Sequence, residues 1–116
     1  MDEDLDKFLP LSPAALHILL ALAGEDLHGY AIMREVARQS DGRYKLGPGT
    51  LYDNLERLLS QGMVRESARS SSAGHPRRRY YRLTGFGRRL LAREITRLEA
   101  VVRKARSHLR VWPEKA

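Results

Sequence analysis

A chain of 116 residues, 42% of them apolar, suffices for one small domain whose limited core gains from a partner chain. It has no cysteine, which excludes disulfides and thiolate metal sites and fits a reducing compartment. A net charge of +7, carried by 17 Arg and 4 Lys among the basic residues, favours a polyanionic partner, and arginine suits bidentate contacts to phosphate and guanine.

Residues 1–11 open acidic, as MDEDLD, unlike the basic and apolar start of a secretory signal. No apolar run approaches the ~18 residues that span a bilayer, so a cytoplasmic protein with no membrane partner is expected. Leu5, Phe8 and Leu9 at i, i+3 and i+4 fit a short amphipathic turn docked on another element, or a frayed terminus. Ser12 and Pro13 then read as an N-cap and a first-position proline, with Leu11 and Leu16 placed for a hydrophobic staple. The helix they start, through Ala23, is apolar almost all round (Leu16, Ile18, Leu19, Leu20, Leu22) and should be the buried centre of the domain.

Gly24 to Leu27 break the chain, and His28-Gly29-Tyr30 open a second helix with Ile32, Met33, Val36 and Ala37 inward and Arg34, Glu35 and Arg38 outward. After a polar loop from Gln39 to Leu46, a third helix is marked at its start by Pro48 and Gly49 and at its end by Gly62. Leu51, Leu55, Leu58 and Leu59 form its apolar stripe. The opposite face carries Gly49, Thr50, Asp53, Arg57 and Ser60, flanked by Tyr52 and Glu56, side chains suited to base edges and phosphates, or equally to a solvated surface. Two helices, a short link and a third helix with a polar outer face make a helix-turn-helix.

Met63 to Ser67 and Arg79 to Leu83 read as two short strands joined by RSSSAGHPRR, residues 69–78. A hairpin with an arginine-bearing tip directly after such a helix is a wing, and Arg77, Arg78 and Arg79 suit the strong negative potential of a minor groove. Residues 65–110 hold 14 Lys and Arg against three acids, a net of +11, whereas residues 1–64 hold six against ten, a net of −4. The basic half thus begins at the wing.

Thr84 is a good N-cap for a last helix reaching about Arg110. Leu91, Ile95, Leu98, Val102, Ala105 and Leu109 are spaced 4, 3, 4, 3, 4, the period of a coiled-coil seam, so a homodimer through this seam is expected. A second stripe, Phe86, Leu90 and Val101, points elsewhere and suits packing on the winged domain. The alternative is one amphipathic helix lying wholly on its own core. The four histidines have no ligand-pair spacing, and no nucleophile or phosphate-loop motif is present, so no metal, cofactor or catalysis is expected. The narrow seam favours helix pairing over lipid insertion.

HGYAIMREV (28–36), PGTLYDNLERLLSQGMV (48–64) and RRRYYRLTGFGRRLL (77–91), in this order and spacing, resemble the PadR family of winged-helix transcriptional regulators, in its compact branch with a single C-terminal dimerisation helix. The resemblance implies a mainly α protein with a small β-hairpin (α+β), a winged helix-turn-helix over 12–83, a dimerisation helix over 84–110, and flanking segments 1–11 and 111–116. It further implies a homodimeric repressor on a palindromic operator in double-stranded DNA, helix 48–61 in the major groove and the 69–78 wing near the minor groove. By position, Thr50 and Tyr52 would touch DNA, and Tyr30 and Lys45 would lie near its backbone. Asp53 departs from that picture, because a carboxylate facing phosphate opposes binding; it would instead accept from cytosine N4 or pair with Arg57. Family effectors are small apolar or aromatic compounds at or near the dimer interface, where Trp112, three residues beyond Leu109, would stack a flat ligand, or, with Pro113 ending the helix, only cap the interface. A protein-binding adaptor and a non-specific architectural DNA binder are the rival readings.

Overall fold

Helix α1, Pro13–Gly24, is the element on which the others pack. The computed structural model describes residues 4–68 and 78–111. Ser12 caps α1 by accepting from the Ala15 N–H at 3.1 Å, and Ile18 and Leu19 are wholly buried. Around α1 lie a short strand β1 (Leu27–His28), α2 (Gly29–Gln39), α3 (Pro48–Ser60), strands β2 (Val64–Ser67) and β3 (Tyr80–Leu83), and the long α4 (Gly85–Val111). Ile32 and Val36 of α2, Leu51, Leu55 and Leu58 of α3, and Leu90 of α4 complete the core, as the apolar spacing predicts.

The sheet has the order β1-β3-β2 and is antiparallel throughout. Its first strand is a finding that periodicity does not deliver: two residues are too few to show alternation, and their partners, Tyr81 and Tyr80, lie more than fifty positions away. Arg65 and Arg82 face each other across β2 and β3, an unfavourable like-charge pair. Asp26 offsets it by accepting from Arg82 Nη2 at 2.8 Å and from the buried Ser67 hydroxyl at 2.6 Å, tying the turn before β1 to both wing strands.

The hinge between α3, the wing and α4 is closely packed. Gly62 takes a φ of +81° that ends α3 in the left-handed region. Thr84 then donates its hydroxyl to the Gly62 carbonyl at 2.6 Å and accepts from the Gly87 N–H at 3.0 Å, so the predicted N-cap also bolts α4 to the end of α3. A Cβ on Gly87 would collide with the Met63 carbonyl and Leu83; only glycine allows this approach.

The N-terminal turn docks instead of fraying. Leu5–Phe8 form one 3-10 turn, and Phe8 meets Phe86 of α4 edge-on at 5.5 Å between ring centroids. Beside it, Glu94 is buried on α4, its side chain 1% exposed. Its carboxylate accepts from Arg97 Nε at 2.6 Å and from the Leu11 N–H at 3.0 Å. The Arg97 hydrogen bond, aided by the Leu11 amide and the Arg97 charge, outweighs burial and holds this carboxyl below its ordinary value.

A depressed folded pKa contributes stability that is complete above the unfolded value near 4.5 and is lost as pH falls through the folded value. Glu94→Gln is therefore expected to cost about 1–3 kcal/mol at pH 7, with the two proteins converging in urea unfolding as pH drops below that of a free carboxylate; parallel curves at all pH values would contradict this.

Candidate nucleic-acid interface

The recognition face expected of α3 is exposed as a unit. Gly49, Thr50, Tyr52, Asp53 and Arg57 all face solvent, while the leucine stripe is buried beneath them. The local reason is the amphipathic spacing, reinforced by Asn54, whose Nδ2 donates to the Thr50 carbonyl at 2.8 Å. Arg57 reaches Asn54 Oδ1 at 3.5 Å, so its side chain leans along the helix toward Asn54 and not toward Asp53.

Tyr52 is placed by a close approach between helices. It stands 49% exposed over the N-terminus of α2, where a Cβ on Gly29 would overlap the Tyr52 hydroxyl. His28 caps α2 by accepting, through Nδ1, from the Ala31 N–H at 3.3 Å and sets its ring edge-on to Tyr80. Tyr30, on the first turn of α2, is 62% exposed and is flanked by the Arg34 guanidinium 5.8 Å from its ring centroid.

His28, Gly29, Tyr30, Tyr52, Arg78, Arg79 and Tyr81 together line one open cleft of about 410 Å³. The helix starts and the wing base, distant in sequence, thus share a surface carrying two guanidinium groups and three phenols. Arg79 is exposed and makes a loose 3.8 Å ion pair with Glu66. Tyr81 forms the floor of the cleft, and burial foremost pushes its phenol above the ordinary value.

Lys45 is exposed on the loop between α2 and α3. Ser40 shapes this loop: its hydroxyl accepts from the Tyr44 N–H at 3.0 Å and donates to the Val36 carbonyl at 3.0 Å. Asp41 and Gly42 take positive φ values of 54° and 76°, and Tyr44 stacks on His17 at 4.5 Å. Arg77 and most of the wing tip, residues 69–77, lie outside the described residues, as does Trp112.

The seam residues divide into two groups. Leu91, expected at its start, is closed into the protomer's own core at 4% exposure, whereas Ile95, Val102, Ala105 and Leu109 are exposed and Leu98 is partly so. Val101, expected to pack with Phe86 and Leu90 on the winged domain, is 49% exposed, because α4 has left the domain by that turn. Among the described residues, no cluster of acidic or histidine side chains could hold a metal ion, and no helix is long and apolar enough to cross a membrane.

Residues 18–93 match the Transcriptional regulator PadR-like family. The chain belongs to that family. PadR-like proteins are transcriptional regulators rather than enzymes, and membership makes this chain a DNA-binding winged-helix regulator. A relative in Mycobacterium tuberculosis, transcriptional regulator Rv3488, is 35% identical over 77% of this chain and 78% of its own length. Among solved structures, a PadR family transcription regulator from Clostridium difficile R20291 is 30% identical, covers 84% of this chain and 97% of that one, and superposes with a TM-score of 0.61. A transcriptional regulator from Clostridium thermocellum, 22% identical over 92% of this chain and 96% of its own, shares the fold with a TM-score of 0.69.

Gly29→Ala tests the placement of Tyr52. The colliding atom is the free end of a side chain, so the ring is expected to swing away with a stability loss of less than about 1 kcal/mol, and affinity for DNA is expected to drop as far as in a Tyr52→Ala control. Normal DNA affinity in Gly29→Ala would mean that the position of this phenol is immaterial.

Proposed function

We propose that this PadR-like regulator is a homodimeric repressor of a palindromic operator, with residues 12–83 as the DNA-binding domain and 84–110 as the dimerisation helix. The observation that carries the reading is the shared cleft, in which Tyr52 at the start of α3, Tyr30 at the start of α2, and Arg78 and Arg79 at the base of the wing face outward together. A helix entering the major groove by its N-terminal turn brings Gly49, Thr50 and Tyr52 to base edges, with Tyr30 and Lys45 against the flanking backbone. The wing arginines, Arg77 included, then meet phosphates or the minor groove. Asp53, facing outward without Arg57 beside it, suits a cytosine amino group.

Two such heads need a fixed separation, because half-sites lie about 34 Å apart along one face of DNA. The apolar face of α4 from Ile95 to Leu109 supplies it by pairing with a second copy. A small apolar or aromatic effector bound at or near that interface, with Trp112 against it, completes the proposed cycle by altering the separation of the heads.

Fluorescence anisotropy against a fragment from upstream of the chain's own coding region and a shuffled control tests the DNA reading. A preference of ~10³ or more at physiological salt is expected, and equal weak binding to both would leave only an architectural binder. In the same assay Arg78→Ala should weaken both DNAs alike and flatten the log–log salt slope by about one unit; an unchanged slope removes Arg78 from the phosphate contacts. Leu98→Lys should give monomers in sedimentation at concentrations where the parent chain is dimeric, and a persistent dimer would place the interface elsewhere.

A further inference from the structure

The exposed face of α4 carries more information than its apolarity. Ile95, Val102 and Leu109 occupy a positions of the heptad and Leu98 and Ala105 the d positions, which puts Glu99 and Arg106 at successive e positions beside the seam. Ile95, Leu98, Glu99, Val102, Arg103 and Arg106 line one shallow, mainly apolar depression on this face. Charge within it is arranged with one end acidic and the other basic.

From this arrangement, and resting on the homodimer proposed above, we infer that two copies of α4 pair antiparallel in one register, with Leu98 against the partner's Leu109 and Val102 against the partner's Ala105. Antiparallel pairing brings e positions of the two helices together, and in this register Glu99 meets the partner's Arg106. The two-fold axis makes the contact twice. Parallel pairing sets each e position beside a g position instead, which brings Glu99 toward the partner's Glu94, whose carboxylate is already committed to Arg97 and Leu11.

The other antiparallel register, one heptad lower, would match Leu91 with the partner's Leu109 and Glu99 with the partner's Glu99. It is opposed twice. Leu91 is enclosed by its own protomer at 4% exposure, so the end of a partner helix would meet the winged domain there, and the two Glu99 carboxylates would face each other. The register we infer uses only residues beyond the buried Glu94, from the partly buried Leu98 to Leu109, which is 74% exposed in the single chain.

The chain has no cysteine, so disulfide trapping reads the register directly. Val102→Cys and Ala105→Cys proteins, each full length, are mixed, equilibrated under reduction and then oxidised by air or glutathione. The inferred register predicts a heterodimer in which the thiol introduced at position 102 is linked to the one introduced at position 105, with little self-linked product of either variant alone. Efficient self-linking of Ala105→Cys would mean a parallel seam, overturning the register while leaving the dimer intact. A linked product from Leu98→Cys mixed with Val102→Cys, in place of the predicted one, would establish the lower antiparallel register. A dimer in sedimentation that gives no disulfide in any of these combinations would overturn the α4 interface itself, and a monomer would overturn the dimer reading. Charge reversal supplies a second arm: Glu99→Arg and Arg106→Glu should each weaken the dimer about tenfold, and the double reversal should return it to within about threefold of the parent. Additive losses in the double variant count against the Glu99–Arg106 contact.

Discussion

The joint at Thr84 is the constraint on which the arrangement depends. One hydroxyl donates to the last turn of α3 through Gly62 and accepts from the first turn of α4 through Gly87, while the absent side chain of Gly87 lets α4 rest on the backbone of Met63. A hydrogen bond of this kind contributes about 1 kcal/mol net, but its geometric effect is larger. The end of α3, the start of β2 and the start of α4 thus meet at one closely packed joint, which sets their relative directions.

Around that joint, burial is used in two ways. The core is filled by aliphatic side chains from all four helices, whereas the buried Ser67 and Glu94 tie segments together: Ser67 with Asp26 at the wing base, Glu94 with Leu11 and Arg97 at the N-terminal turn. Each brings together residues at least forty positions apart or fastens a segment too short to hold itself. Removing one partner leaves the other buried and unmatched, which is why such contacts fix geometry more firmly than their net energy suggests.

The elements with long periodic signals were legible from residue order. The four helices, the Ser12 and Thr84 caps, the ending at Gly62 and the two wing strands lie where apolar spacing and cap chemistry put them, with boundaries moved by one residue at Ala23, Gln39, Gln61, Met63, Arg79 and Arg110. What was not legible is what depends on distant partners. The two-residue strand β1 exists because β3 offers it an edge, and Asp26 looks like a loop acid until Ser67 and Arg82 arrive beside it. Glu94 reads as a flank of the coiled-coil seam, because heptad position cannot report that the N-terminal turn will cover it. Leu91 fails in the same way: the 3.5-residue period continues unbroken through a residue that the domain has taken for its own core. On the candidate interface, the exposure of Thr50 and Tyr52 followed from the wheel, whereas the cleft uniting them with Tyr30 and the wing base required the Gly29–Tyr52 approach, which no local pattern encodes.

The handover along α4 between Glu94, the last buried side chain, and Ile95, the first exposed large apolar one, makes the helix a ruler with a fixed zero. Up to that point the apolar side chains of α4 serve the protomer's own core, and beyond it they face mainly outward. An insertion of seven residues at the boundary would restore the same seam after nearly two full turns and carry each head about 10 Å farther along the helix axis, whereas an insertion of one would rotate the seam by about 100° relative to its head. In a dimer paired through this seam, the spacing of the two heads would thus be set in discrete steps by the length of α4 rather than continuously.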